Sequence, residues 1–446
     1  MIIDDNAKKI ISLLNAVGYK AYAVGGCVRD ALMGKPSCDI DIATNALPEI
    51  TSQIMTAENI KIAETGLKHG TVTAVLNHKP YEITTFRKDG DYNDCRHPES
   101  VSFVSNIQED LSRRDFTINA MAYNEEEGII DLFGGREDLK NSVIRAVGDP
   151  DTRFNEDALR IMRALRFASV LGFKLEEKTK KAAFDNKMLL KNIANERIFA
   201  ELLKLLCGDN VLSVLDEYRE IIAVIIPELE PAMNCEQNTP WHIYNVYEHI
   251  INAVDAAPKN PVIRLTMLLH DIGKPSVKTT DENGKDHFRT HAQVGERIAL
   301  AVLKRFKASN EITETVTQLV KYHQLVANVD DIRVKRWLAR LGAEKTKMLF
   351  DVRIADLEAH NPVKIAYEIK KLTELKDELE RVVNSGEAYR ISDLAVNGND
   401  LINIGLHGRG IGEMLNEVLS LVIEGNLENS KEKILNYIID KQKNLC

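Results

Sequence analysis

At 446 residues the chain exceeds one ordinary domain, and 44% apolar with 28% charged residues is globular make-up rather than that of a disordered or fibrous chain. Its apolar runs, such as Ile221 to Ile226, fall far short of the roughly 20 residues of a membrane helix. The start MIIDDNAKK is acidic where a signal peptide is basic, so three or four packed units in the cytoplasm, with no membrane contact, are expected. A formal net charge of −9 does not advertise a nucleic-acid binder, which leaves RNA contact to local stretches such as Arg333, Lys335, Arg336, Arg340, Lys345 and Lys347. Such a run otherwise reads as a solvated helix face.

In chain order, an amphipathic opening helix leads to an apolar strand at Lys20 to Val24 and a Gly-Gly turn. Gly70 to Asn77, Pro80 to Phe86 and Glu99 to Val104 read as further strands, rich in Thr, Val, Ile and aromatics. From Asn155 onward the helical period takes over. Pro227, Pro231 and Pro240 mark a break, placing a boundary near 230, and Pro258 with Pro261 marks a later loop. Six cysteines (Cys27, Cys38, Cys95, Cys207, Cys235, Cys446) without a C-x-x-C pair argue against a zinc ribbon or a disulfide framework. Neither low-complexity segments nor internal repeats are found.

The most informative stretch is AVGGCVRDALMGKPSCDIDIAT, ending at Thr44. Here a strand meets Gly25-Gly26, a helix carries Arg29 and Asp30, and a second strand carries Asp39 and Asp41. Two glycines let backbone approach a triphosphate, the helix start offers N–H groups, and Arg29 adds a charged fork. Alternate strand residues share a face, so Asp39 and Asp41 pair their carboxylates while Ile40 and Ile42 pack behind. Such hard oxygen ligands suit Mg²⁺, and a two-metal site activates a hydroxyl and stabilises leaving pyrophosphate. Taken alone, D-x-D is also a solvated strand edge and Gly-Gly a plain turn.

G-G-x-V-R-D-x-L-x-G followed by D-x-D-x-x-T resembles the opening of the bacterial CCA-adding enzymes and poly(A) polymerases. The resemblance implies that Asp39 and Asp41 bind catalytic metal and that Gly26 and Arg29 contact the incoming nucleotide. TTFRKDGDYNDCRHPESVSFV (84–104) resembles the family's flexible loop. LSRRDFTINAMAY (111–123) resembles its arginine motif, with Arg114 on the triphosphate, although Arg113 and Arg114 also read as surface cations. IDLFGGREDL (130–139) resembles the link to a helical neck.

In RFNEDALRIMRALRF (153–167), a single helix would put Leu159, Ile161, Met162, Leu165 and Ala168 on one side. Glu156, Asp157, Arg160 and Arg163 would take the other. Pairing of Glu156 and Asp157 with Arg160 would stabilise the helix by only about 0.2–0.5 kcal/mol a pair. A carboxylate beside a guanidinium also offers an acceptor and a donor to a base edge. E-D-x-x-R is similar to the family's protein template, which implies that Asp157 and Arg160 select the base and that Arg163 and Arg166 help bind the nucleotide.

Downstream, His249, His270-Asp271 in LLHDIGKP, His291, His323 and Asp356 could converge as metal ligands from separate helices. The set resembles the HD superfamily of metal-dependent phosphohydrolases, with His249, His270, Asp271 and Asp356 as core ligands and His291 and His323 as those of a second metal. It serves either hydrolysis of RNA ends or nucleotides, or a scaffold. SDLAVNGNDLINIGLHGRGIGEML resembles the family's tail and implies a grip on the tRNA acceptor arm; Gly405, Gly408, Gly410 and Gly412 also read as a turn into a helix.

The expected architecture is α+β: a small mixed-sheet nucleotidyltransferase head (1–145), then a helical neck (146–230), an HD body (231–370) and a helical tail (371–446). The expected activity is addition of C, C and A to tRNA from CTP and ATP, with Mg²⁺ at the head and a divalent metal of unspecified identity in the body. The full-length loop after Phe86 argues against a CC-only enzyme but leaves an A-adding enzyme or a poly(A) polymerase open. An HD phosphohydrolase with an idle head is the reading from another class.

Overall fold

Asp4 accepts hydrogen bonds from the backbone N–H groups of Asn6 and Ala7 and so starts helix α1 (Asp5–Ala16). Ala7, Ile10, Ile11 and Leu14 form its buried stripe. The computed structural model describes residues 3–36, 39–67, 70–90, 101–324 and 331–443. The chain divides into two compact units, Met1–Pro227 and Glu228–Cys446.

In the first unit α1 is followed by β1 (Ala21–Val24), α2 (Gly26–Leu32), β2 (Asp41–Thr44), α3 (Pro48–Ala57), β3 (Lys61–Gly66), β4 (Thr71–Leu76) and β5 (Lys79–Thr85). A ribbon of β6 (Arg87–Asp89) and β7 (Val101–Phe103) precedes α4 (Ile107–Ser112), β8 (Met121–Asn124), β9 (Gly128–Asp131) and α5 (Gly135–Lys140). Residues 91–100, the middle of the expected loop and with it Glu99 and Ser100 of the expected strand, lie outside the described residues, as do Cys38, Cys95 and Cys446. Seven strands make one mixed sheet in the order β3-β4-β5-β2-β1-β8-β9, with only β2 and β5 parallel.

Strand β1 lies at the centre of this core. Ala21 and Ala23 pack with α1 and α3 residues on one face, and Tyr22 and Val24 pack with Phe86, Leu111 and Ala122 on the other. Burial on both faces explains why AYAV lacks polar alternation.

Then come β10 (Val143–Ile144), α6 (Pro150–Glu156) and α7 (Leu159–Leu171), followed by β11 (Lys174–Leu175), which pairs in parallel with β10. The neck helix expected over 153–167 is therefore two helices. At Asp157 the backbone is extended (φ −143°, ψ 101°), and the Asp157 carboxylate accepts from the Leu159 N–H at 3.0 Å as the new helix begins. Helices α8 (Glu177–Asp185), α9 (Asn195–Leu206), α10 (Val211–Glu217) and α11 (Arg219–Ile225) complete the unit.

The second unit is helical: α12 (Val246–Ala256), α13 (Pro261–Leu269), α14 (Lys274–Val277), α15 (His291–Arg305), α16 (Asn310–Tyr322), α17 (Asp331–Glu358), α18 (Pro362–Ser385), α19 (Gly398–Asn403), α20 (Arg409–Ile423) and α21 (Lys431–Lys443). A short hairpin, β12 (Thr279–Thr280) with β13 (Asp286–His287), was not legible, because two-residue strands carry no period. α17 breaks at Gly342 (φ 77°), and α18 runs continuously through residue 370, where the sequence suggested a boundary. Gly408 (φ 61°) ends the glycine-rich turn, and Gly410 and Gly412 already belong to α20.

Candidate active site and metal centre

Antiparallel pairing sets Val24 opposite Asp41, so β2 begins beside the Gly25 turn that leads into α2. Gly25 has φ 77°, and a Cβ there would sit 2.8 Å from Nη1 of Arg114. A Cβ on Gly26 would approach nothing closer than 3.5 Å, so the position that demands glycine is 25 rather than 26. Asp39 precedes β2 instead of lying on it, yet the alternation persists: Asp39 and Asp41 are exposed, and Ile40 and Ile42 are buried. Although the residue is exposed by surface area, the protein packed around the Asp41 carboxyl strips part of its hydration and raises it above its ordinary range; Arg114 pulls it back, and the charge of Asp39 pushes it up again. Two carboxylates that repel each other beside a phosphate-sized turn fit a divalent cation.

A cleft of about 760 Å³ opens from this turn, lined by Gly25, Gly26, Arg29, Asp41, Arg114, Asp157, Arg160, Arg163 and Arg166, so it collects every expected head and neck residue except Asp39. Arg29 donates from Nη1 to Asn119 at 2.7 Å and from Nε to Asp30 at 2.9 Å. Arg113 and Arg114 are not surface cations; both lean on Asp110, which is buried and whose carboxyl their charges hold low against the cost of burial. Arg163 grips buried Asp115 with two hydrogen bonds of 2.8 and 2.6 Å, and Arg166 reaches Glu201 at 3.1 Å. The guanidinium carbons of Arg29, Arg163 and Arg166 lie 5.2, 5.6 and 4.1 Å from the Phe167 ring centroid, which spaces three like charges around one aromatic face.

Glu156 pairs with Arg160 at 2.5 Å, as intrahelical spacing suggested, although the pair spans the helix break. Arg160 also donates to the carbonyls of Arg153 and Arg113 at 2.9 and 3.0 Å. Asp157 does not pair with Arg160; its partner is Arg197 of α9, at 2.9 Å. Among the cleft residues, the sequence reading missed Asn119, Asp115, Phe167 and Arg197. Asn119 and Phe167 stood inside quoted motifs, whereas Arg197 left no local signal.

In the second unit, α12, the end of α13, the start of α15, the end of α16 and the last turns of α17 bring six expected ligands together. His249 Nε2 lies 3.0 Å from Asp356 and 3.3 Å from Asp271, and His270 Nε2 lies 3.3 Å from Asp271. His291 and His323 approach the other Asp271 oxygen at 3.3 and 3.6 Å. Each Nδ1 faces a carbonyl, of Ala359, Met267, Phe288 and Val320 respectively for His249, His270, His291 and His323. A carbonyl only accepts, so each Nδ1 carries a hydrogen, and each Nε2 of a neutral ring turns a lone pair inward. Neither buried oxygen of Asp271 receives a well-directed hydrogen bond, although Lys274 Nζ stands 2.6 Å from one.

Four inward lone pairs around two carboxylates form a donor set for cations, with Asp271 shared by the groups His249–His270–Asp271 and Asp271–His291–His323. Without a cation, burial pushes His249 down to about 4, while the charges of Asp271 and Asp356 overcome burial and raise His270 to about 10. Gly273 is fixed by this packing, since a Cβ there would meet the His291 carbonyl at 2.4 Å. Lys274, Arg353, His242 and His360 also line this cavity and were not foreseen.

The expected RNA-facing cations are largely engaged within the protein. Lys335 pairs with Glu387, Arg336 with Glu424, Lys345 with Glu314 and Lys347 with Glu380, while Arg340 lies over the rings of Tyr322 and Trp337. The Arg333 side chain lies outside the described residues.

Residues 21–145 match the "Poly A polymerase head domain", 172–233 the "Probable RNA and SrmB-binding site of polymerase A", and 286–438 the "tRNA nucleotidyltransferase domain 2". The chain is 35% identical over 436 residues to a CCA-adding enzyme of Enterococcus faecalis, covering 97% of this chain and 94% of that protein. It is 34% identical over 433 residues to one from Lactobacillus delbrueckii subsp. bulgaricus, with 97% and 96% covered. Its fold is similar to that of the Bacillus stearothermophilus CCA-adding enzyme in complex with CTP, with TM-score 0.73, 31% identity, and coverage of 99% of this chain and 98% of that one.

Proposed function

The chain belongs to the CCA-adding enzymes, and on that premise we propose that it adds C, C and A to the 3′ end of tRNA from CTP and ATP, in the cleft that begins at Gly25. The observation that carries this assignment to particular residues is Asp41, exposed beside a backbone turn that admits phosphate and facing Arg114, with the exposed Asp39 close enough for its charge to act on it. Asp39 and Asp41 hold Mg²⁺, which supplies charge neutralisation at the α-phosphate and a lowered pKa for the attacking 3′ hydroxyl. Arg114, positioned by Asp110, and Arg29, positioned by Asn119, hold the triphosphate, and pyrophosphate leaves along them.

Base choice belongs to Asp157 and Arg160. A carboxylate accepts from the amino group that both cytosine and adenine carry, and a guanidinium donates to the ring nitrogen beside it or, in cytosine, to the carbonyl; uracil and guanine place a carbonyl where the carboxylate expects a donor. Arg163 and Arg166 supply positive charge and the Phe167 surface close by. The division of labour is a head over 1–145, a neck over 146–230, and a body and tail thereafter that grip the tRNA. No described helix is long and apolar enough to cross a membrane, and tRNA as substrate makes the cytoplasm the proposed place of action.

Asp271 and the five ligands around it, His249, His270, His291, His323 and Asp356, form a second metal centre of the HD type, for one or two divalent cations. Its test is metal content after dialysis, which His270→Ala should abolish at that centre. For the main reaction, the purified chain is incubated with tRNA ending before CCA, CTP, ATP and Mg²⁺, and product ends are sequenced. Complete CCA ends are expected, and Asp39→Asn with Asp41→Asn should slow addition by about a thousandfold or more, several kcal/mol of barrier. Ends carrying only A would favour an A-adding enzyme, and retained speed in the double variant would place the chemistry elsewhere.

A further inference from the structure

We infer that Arg197, on α9, is the positioning residue that aims the base-reading carboxylate of Asp157; this rests on the proposal that Asp157 reads the base. Asp157 occupies the one extended residue between α6 and α7, so helical geometry does not fix its side chain. Two contacts do. Oδ1 accepts from the Leu159 N–H at 3.0 Å, and Oδ2 accepts from Nη2 of Arg197 at 2.9 Å. Arg160, the other reader, is already held by Glu156 and by two backbone carbonyls, which leaves it no part in orienting Asp157.

Helix α9 is a firm base for such a clamp. Ile198, Leu202 and Leu205 bury it, and Glu201, one turn beyond Arg197, pairs with Arg166 of α7. Arg197 and Glu201 thus hold an acid before α7 and a base upon it, fixing the two sides of the break against one rigid element. Arg197 also lines the cleft itself. Tied to Asp157, its guanidinium is kept from donating to the carbonyl of a uracil or guanine, the bases to be refused. Removing it frees the carboxylate to rotate away from the amino group it must find.

The test is single-nucleotide incorporation into tRNA primers, measured as kcat/KM for CTP and ATP against UTP and GTP, for Asp157→Ala, Arg197→Gln, Arg197→Lys and the double variant Asp157→Ala with Arg197→Gln. Arg197→Gln should cut selectivity by about tenfold or more, Arg197→Lys should restore part of it, and the double variant should lose no more than Asp157→Ala alone, the signature of one shared interaction. Equal slowing of all four nucleotides by Arg197→Gln, or independent multiplication of the two effects, would overturn the inference. Selectivity unchanged in Asp157→Ala would instead dismiss Asp157 as the reader and take this role for Arg197 with it. Should Arg197→Gln melt early, the decision passes to Arg197→Lys, which keeps the charge but not the fork: full selectivity there, in a folded protein, would count against a directional clamp.

Discussion

Glycine 25 shows how a single side-chain hydrogen decides the geometry of the site. Its φ of 77° and the 2.8 Å approach of Arg114 leave no room for a methyl group. Gly25→Ala should cost about 1–2 kcal/mol of backbone strain and displace Arg114. Expressed as catalysis that is about a tenfold fall in kcat/KM for CTP, against a smaller fall for Gly26→Ala, in steady-state assays of the two variants. Asp115 offers a second test at this scale. Burial opposes its charge, but Arg163 and hydrogen bonds from Asn119 and the Phe116 N–H outweigh burial and hold the carboxyl below its ordinary range. A depressed carboxyl contributes stability above its unfolded value, near about 3.9, and that contribution is lost as pH falls through the lower folded value. Asp115→Asn should therefore lower the melting temperature at pH 7 and flatten the acid limb of a pH–stability profile followed by circular dichroism.

Among the elements, those with a strong period were legible and those decided by distant partners were not. The buried stripe of α1 and the strands at 71–76 and 79–85 follow from spacing alone. The start of β2 at Asp41 and the break before α7 do not, because the first depends on pairing with Val24 and the second on a cap that Arg197 completes from 40 residues away. The same reason explains why Asp157 was expected to meet Arg160: sequence offers the neighbour three positions along, and only the fold offers Arg197. The HDIG turn after α13 belongs to this scale too. Its Gly273 lies against the first turn of α15, where a Cβ would stand 2.4 Å from one carbonyl and 2.7 Å from the Gly295 nitrogen. Both neighbours are backbone and cannot swing aside. Gly273→Ala should thus separate α15 from His270 and Asp271, cost about 1–3 kcal/mol by overpacking, and reduce bound metal in equilibrium dialysis.

For the whole molecule, a net charge of −9 conceals opposite local environments. The cleft of the first unit gathers guanidiniums around a triphosphate-sized space, while the centre of the second gathers carboxylates and imidazole lone pairs. Each set is built entirely from residues of its own unit, so the two chemistries should separate by mutation. In the second centre, Nε2 atoms and carboxylate oxygens stand 3.0–3.6 Å from one another; without a cation the charges of Asp271 and Asp356 hold a proton on His270, and a divalent cation takes the place of that proton. A cation bound only by the folded form stabilises it by mass action, so chelation at pH 7.5 should lower the melting temperature, and restoring metal should raise it in a concentration-dependent way. His270→Ala with His323→Ala removes two of the four inward donors and should abolish that response while leaving nucleotide addition with excess Mg²⁺ within about twofold, as expected of sites that share no residue. Asp41→Asn should do the reverse, stopping addition and preserving the metal-dependent rise. Melting curves and primer extension on the same preparations measure both, and a centre whose loss also halted addition would show that the two are linked.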